Sequence, residues 1–289
     1  MKKKLTLKTF VIYILLPLLP LFVFWFIPLL VSFYISFTNW DYVSPSYDMV
    51  SISNYTYLLK NNAFHLALKN TLLFGIGTLV PTLVFGFLLA MLLYKKVGGK
   101  AIYQALLFSP WITPMVAMAI VWSWMYQGDG LINIVLEKFG GTAIPWLTSS
   151  KYALLAVSIV TVWKNAGWAM IFYADALSKI PETLLEVGYL EGANWFQKVR
   201  KIILPMVSRT TFFLTIVTLI NSIQAYDQIS VMTQGGPAGA SRTLLYLYYQ
   251  LAFEEFNMGK ATALSMIIVV LTALLALMMN AIRRRGYEE

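Results

Sequence analysis

Six blocks of apolar residues, each long enough to cross a hydrocarbon core, limit what this chain can become; they lie near 10–36, 70–94, 104–126, 152–175, 206–226 and 261–282. A core of roughly 30 Å needs about 20 helical residues, and backbone polar groups in lipid must find partners within the protein. The expected fold is therefore an all-α membrane protein with six transmembrane helices. Of the 289 residues 59% are apolar and 12% charged, whereas about a quarter are charged in a soluble domain. The same balance excludes a disordered chain.

There is no Cys and a single His, so disulfides, thiolate metal sites, Cys nucleophiles and His clusters are excluded. The first block follows Lys2, Lys3, Lys4 and Lys8 as a signal peptide would. Its apolar run is too long, however, and no Ala or Gly precedes Ala63 to form a cleavage site. It reads as a retained span.

The net charge of +9 is explained by where the charges fall. With a cytoplasmic N-terminus, fifteen basic residues lie on inner segments, among them Lys95, Lys96, Arg283, Arg284 and Arg285. Six (Lys60, Lys69, Lys138, Lys151, Arg242 and Lys260) lie on outer ones. Positive residues accumulate inside, so both termini are expected there, in a cytoplasmic membrane and against a lipid bilayer. No basic patch for nucleic acid is visible. The chain divides into a cytoplasmic N-terminus (1–9), a first transmembrane helix (10–36), an outer loop (37–69), a five-helix core (70–282) and a cytoplasmic C-terminus (283–289). Trp25, Trp40, Tyr42, Trp124, Tyr126, Trp146 and Tyr226 fall near span ends, where aromatic rings anchor at the interface.

The one sizeable inner segment, 176–205, has the pattern of two short helices. Pro181 suits a helical first turn, with Glu182 and Glu186 near its positive end. Leu184, Leu185 and Tyr189 give this helix an apolar character, Leu185 and Tyr189 pairing at i, i+4. Gly192 stops it, and Asn194 can cap a second helix that runs to Leu204–Pro205. Such a pair rests on the bilayer surface or forms a docking site for a soluble partner.

The run Glu186-Val187-Gly188-Tyr189-Leu190-Glu191-Gly192, followed after nine residues by Ile202-Ile203-Leu204-Pro205, resembles the EAA motif E-A-A-x3-G-x9-I-x-L-P. That motif marks the permease subunits of bacterial binding-protein-dependent ABC importers. Val187 and Gly188 stand in place of its two Ala. Asn54-Tyr55, Asn70-Thr71, Tyr226-Asp227-Gln228 and Met232-Thr233-Gln234-Gly235-Gly236-Pro237 are similar to sugar-type permeases, and Tyr246, Tyr248 and Ala252-Phe253 to the first permease of a pair, the maltose or glycerol-phosphate type.

The resemblance implies a type I importer permease that carries an oligosaccharide or other carbohydrate, with glycerol-3-phosphate or a related polyol ester as the alternative. It implies a second, homologous permease in a heterodimer, two ATP-binding subunits, and an extracellular or periplasmic solute-binding protein. No cofactor is expected in this chain, ATP and Mg belonging to the partners. It implies that Glu182, Leu184, Leu185, Glu186, Tyr189 and Gly192 form the coupling helix that enters the ATPase.

Lys164 is the one charge near the middle of a span, where an ionisable side chain costs about 2.5–3.5 kcal/mol on insertion scales. It is expected to face a cavity, with Trp163, Asn165 and Trp168 on the same stretch. Sugars present C–H faces to aromatic rings and hydroxyls to amides. Thr218, Asn221, Ser222 and Gln224 in the next span either line that cavity or bond between packed helices. Gly98-Gly99-Lys100 lacks the first Gly and the Ser/Thr of a P-loop, so ATP hydrolysis is assigned elsewhere. A secondary transporter and a polytopic membrane enzyme are the rival classes. Neither has an internal repeat or a cluster of catalytic side chains to support it.

Overall fold

At Asn61 and Asn257 the helix start is set by side-chain hydrogen bonding more than by hydropathy. This computed structural model describes Tyr13, residues 15–94 and residues 98–285, with side chains to 281. The charges at Lys2, Lys3, Lys4, Lys8, Lys95 and Lys96 lie outside the described residues, as do the side chains of Arg283, Arg284 and Arg285. Among the described residues there are four unbroken helices of membrane-crossing length and apolarity, α1 (Leu16–Ile35), α3 (Asn62–Leu92), α7 (Ala153–Ser178) and α13 (Met258–Arg285). Two bent pairs complete the six expected spans: α4 (Lys100–Ile112) with α5 (Met115–Met125), and α9 (Trp195–Met206) with α10 (Ser208–Ile223). Shorter helices are α2 (Ser53–Lys60), α6 (Leu131–Lys138), α8 (Glu182–Leu190), α11 (Asp227–Met232) and α12 (Leu244–Tyr249).

The chain forms two units. The first comprises 1–64 and 247–273. Its α1 has no buried residue and exposes Phe24 and Trp25. Asn54 gathers the turn that follows, donating to the carbonyls of Ser36 (2.9 Å) and Thr38 (2.8 Å). A Cβ at Gly259 would overlap the same Thr38 carbonyl, so glycine is required there for close approach. In the exposed turn Asp41 accepts from Ser44 N and Oγ and from Val43 N, which holds its carboxyl below the usual range. The helix α3 starts at Asn62, earlier than expected at 70, because the Asn61 carboxamide caps Ala63 N (2.7 Å). Asn257 caps Lys260 N (3.1 Å) in the same way, and α13 begins three residues before its apolar block.

The second unit comprises 65–246 and 274–289 and is organised on α7, the most buried of the membrane-length helices. α4 and α10 pack on α7, and α11 packs on both α5 and α7. A Cβ on Gly86 of α3 would sit 3.1 Å from the backbone of Ala169–Met170, so these two helices touch at their main chains. Met170, Tyr173, Leu177, Ile180, Val199, Ile203, Val207 and Leu214 form a continuous apolar core. Tyr126 and Trp146, expected as interfacial anchors, are instead packed. Tyr126 is buried with its hydroxyl on the Ala156 carbonyl (3.2 Å), and Trp146 lies tilted against Tyr126 (5.4 Å) and edge-on to Tyr152 (5.9 Å).

Candidate coupling and translocation site

Glu182–Leu190 forms the predicted helix α8, with Pro181 just outside it as N-cap in an extended conformation. Gly192 adopts φ +75°, and the turn closes through Gly192 N to Tyr189 O (3.0 Å) and Ala193 N to Gly188 O (2.9 Å). α9 opens with a reciprocal capping box between Asn194 and Gln197. The two departures from the motif differ in setting. Val187 is exposed, whereas Gly188 is buried against α9, where a Cβ would lie 2.9 Å from Ile202 Cδ1 and 3.6 Å from Lys198 Cγ. Gly188 thus sets how closely α8 sits on α9.

α8 turns Leu185 toward the core and leaves Leu184, Val187, Tyr189 and Leu190 exposed, Tyr189 under the Lys198 ammonium (5.4 Å to the ring centre). Glu182 and Glu186 are exposed and have no ion pair or hydrogen bond from the side chains of the described residues. They line, with Tyr94, Lys100, Leu185 and Tyr189, an open groove of about 820 Å³. An apolar, carboxylate-bearing helix beside an empty groove has the chemistry of a docking surface.

The predicted cavity residues separate into distinct settings. Trp163 lines a cavity of about 760 Å³ together with Gly77, Pro81, Pro110 and Ser158. Ser109 and Ser158 in that wall spend their hydroxyls on the carbonyls of Leu106 (2.8 Å) and Leu154 (2.7 Å), so the wall presents a nearly apolar surface. Lys164 is buried and donates to the carbonyls of Pro110 (2.9 Å), Trp111 (2.9 Å) and Thr113. Trp168 shares its face, stacking on Trp111 (5.3 Å, 24°), whose ring also lies 5.8 Å from the Lys164 ammonium. Asn165 is half-buried, its amide without a partner among the described residues.

On α10, Ser222 bonds the Thr218 carbonyl (2.8 Å) and meets the Thr78 hydroxyl of α3 (3.1 Å), a helix-packing contact, and Thr218 is buried beside it. Asn221 and Gln224 are exposed, and their amides have no partner among the described residues.

Sequence reasoning missed what the flanking motifs do. The Asn70 amide donates to the carbonyls of Gly239 (2.8 Å) and Arg242 (3.0 Å), and Thr71 Oγ1 accepts Leu244 N (2.9 Å). Gly235, at φ +71°, packs so close to Tyr246 that a Cβ would lie 2.7 Å from the ring. Asn70-Thr71 and the Gly-Gly-Pro stretch are therefore one stitched assembly. Asn133 was missed entirely. It is fully buried and its amide bonds Gln127 O, Ile144 O, Ile144 N and Trp146 Nε1. An Asn inside the apolar run Leu131–Leu136 was its only signal.

Membrane-length helices, two of the spans broken, and an amphipathic helix with an exposed apolar face between spans define a multi-span membrane protein with a docking surface. The chain belongs to the family described as binding-protein-dependent transport system inner membrane component, which matches residues 1–285. It is similar to the sn-glycerol-3-phosphate transport system permease protein UgpA of Agrobacterium fabrum, 28% identical over 91% of this chain and 90% of the relative. It is also similar to the trehalose/maltose transport system permease protein MalF of Thermococcus litoralis, 28% identical over 89% and 88%. Its fold matches a chain in the crystal structure of a bacterial ABC transporter involved in the import of the acidic polysaccharide alginate, with TM-score 0.81, 21% identity and 94% of each chain covered. The protein is thus a multi-pass permease subunit of an ABC importer in the cytoplasmic membrane.

Proposed function

We propose that this permease imports a carbohydrate by alternating access, paired with a homologous sister permease and driven by two ATP-binding subunits that supply ATP and Mg. A solute-binding protein delivers substrate on the outer side. The carrying observation is α8, an amphipathic helix with exposed Leu184 and Tyr189 and a Glu186 that has no partner among the described residues, beside an open groove. A rigid helix seated in a partner's cleft passes the partner's rotation to the spans. Glu182, Leu184, Leu185, Glu186 and Tyr189 make that contact in this reading, and Gly192 turns the chain away.

The amides of Asn165, Asn221 and Gln224, without partners among the described residues, suit sugar hydroxyls, and in this reading they line the pathway shared with the sister permease. Glycerol phosphate would want a free cation there. Lys164, the intramembrane candidate, already serves three carbonyls, which favours the uncharged carbohydrate. Glu186→Lys is expected to abolish ATP-driven uptake while membrane insertion persists. Wild-type uptake by that variant would refute the coupling role. Competition of uptake by glycerol phosphate but by no oligosaccharide would refute the substrate class.

A further inference from the structure

The Lys164 ammonium serves neither a carboxylate nor an open cavity; its acceptors are the carbonyls released where α4 breaks from α5. In a continuous helix the Pro110 carbonyl would accept the N–H of residue 114, but that residue is Pro and has none. Thr113 is extended (φ −70°, ψ 135°), so the Trp111 carbonyl also loses its partner. Carbonyls without donors are not tolerated at membrane depth, and an ammonium with three hydrogens can serve three acceptors. One turn further on, a Cβ at Gly167 would overlap the Leu107 carbonyl, so the backbones of α7 and α4 are in contact there. The open end of α4 is pinned to α7 twice within four residues.

α7 then runs unbroken to Ser178, and only Lys179–Pro181 separates it from α8. α5 leaves the pinned end through Thr113–Pro114 at 95°. Farther along it meets α7 through the Trp122–Trp163 rings (5.4 Å) and the Tyr126 hydroxyl on the Ala156 carbonyl (3.2 Å), contacts that its swing must break. We propose that Lys164 is the positioning residue of a transmission joint, making the α4 side of the break travel as one body with α7. This rests on the reading of α8 as the coupling helix. A push on α8 then passes along about 21 Å of straight helix from Ser178 to Lys164, and α5 swings about Thr113–Pro114 as the hinge.

The test uses the assembled importer with its partner subunits in lipid nanodiscs. The chain has no Cys, so paired spin labels on Ile102→Cys of α4 and Ile159→Cys of α7 report the pinned pair. Leu190→Cys, in a separate sample, reports cross-linking of α8 to the ATPase. The joint predicts one narrow label distance, unchanged by ATP, in the wild type and in Lys164→Arg. In Lys164→Met the distance broadens and uptake falls about tenfold, while the α8 cross-link forms as before.

A narrow distance with wild-type uptake in Lys164→Met overturns the joint and leaves coupling intact. So does lost uptake with an unchanged distance. A wild-type complex in which α8 never cross-links removes the coupling reading and the joint with it. If Lys164→Met fails to insert, the wild type decides: a label distance that shifts or broadens when ATP is added overturns the proposal.

Discussion

The two broken spans bend by comparable angles, 95° and 66°, yet they are held in different ways. At Thr113–Pro114 the ladder is severed, and a buried ammonium takes three carbonyls. At Val207 two rungs survive across the bend: Val207 N reaches Ile203 O (3.0 Å) and Thr211 N reaches Val207 O (2.9 Å), with Val207 fully buried at φ −90°, ψ 2°. Both are anchored on α7, the first by Lys164 and the second by the Tyr173 hydroxyl, which donates to Thr211 Oγ1 (3.0 Å). The cation within the span thus marks the first break, where it serves carbonyls that the cut leaves without N–H donors.

The largest effect should come from closing the cut. Pro114→Ala returns an N–H to the Pro110 carbonyl and removes a residue that disfavours a continuous helix by about 3 kcal/mol. Spin labels on the exposed residues Ile102 and Trp124 should stand about 20 Å apart across the bend and about 33 Å apart along a straight helix. We expect the variant to gain a population near the longer distance and to lose uptake. A single population at the shorter distance would show that Lys164 and packing set the bend without help from the proline.

Much of this was legible in the sequence. Six apolar blocks gave six spans, and Gly192 and Asn194 gave the turn of the 176–205 segment, because bilayer thickness and capping chemistry are local rules. The depth of Lys164 in its span was also readable. What it bonds to was not, because its acceptors are backbone carbonyls more than fifty residues away, and main-chain atoms leave no trace in residue identity. The expectation of a cavity for Lys164 therefore missed the commoner need in lipid, a donor for a broken helix. Asn70 and Gly235 resembled a family pattern without disclosing that they stitch one assembly. Gly188 looked like a defect in its motif until Ile202 was seen packed against it.

A smaller effect tests whether the second bend depends on the far end of its arm. Asn194→Ala removes the capping box of α9 at a cost of about 1 kcal/mol. Hydrogen exchange at the Gln197 amide, which now donates to Asn194 Oδ1 (2.9 Å), should quicken about fivefold. The bend at Val207 should persist, since Val199, Ile203 and Val207 stay within the core. Straightening of α9 into α10 would mean that the bend is imposed from the loop.

The smallest effect sharpens the contrast most. Tyr173→Phe deletes a side-chain hydrogen bond from α7 to the second bend and leaves the ring packed edge-on against Phe87 (5.5 Å). The hydroxyl of Thr211 still has the Val207 carbonyl (3.2 Å) as its acceptor, so no polar group is stranded. Such a hydrogen bond in a membrane is worth about 0.6 kcal/mol, and a thermal-stability assay in detergent should detect little more than that. A loss as large as that of Lys164→Met would place the second bend in the same class as the first, with Tyr173 as its pin. A near-neutral result would leave the ammonium as the anchor that the severed helix cannot do without, and would locate the moving part of the permease at Thr113–Pro114.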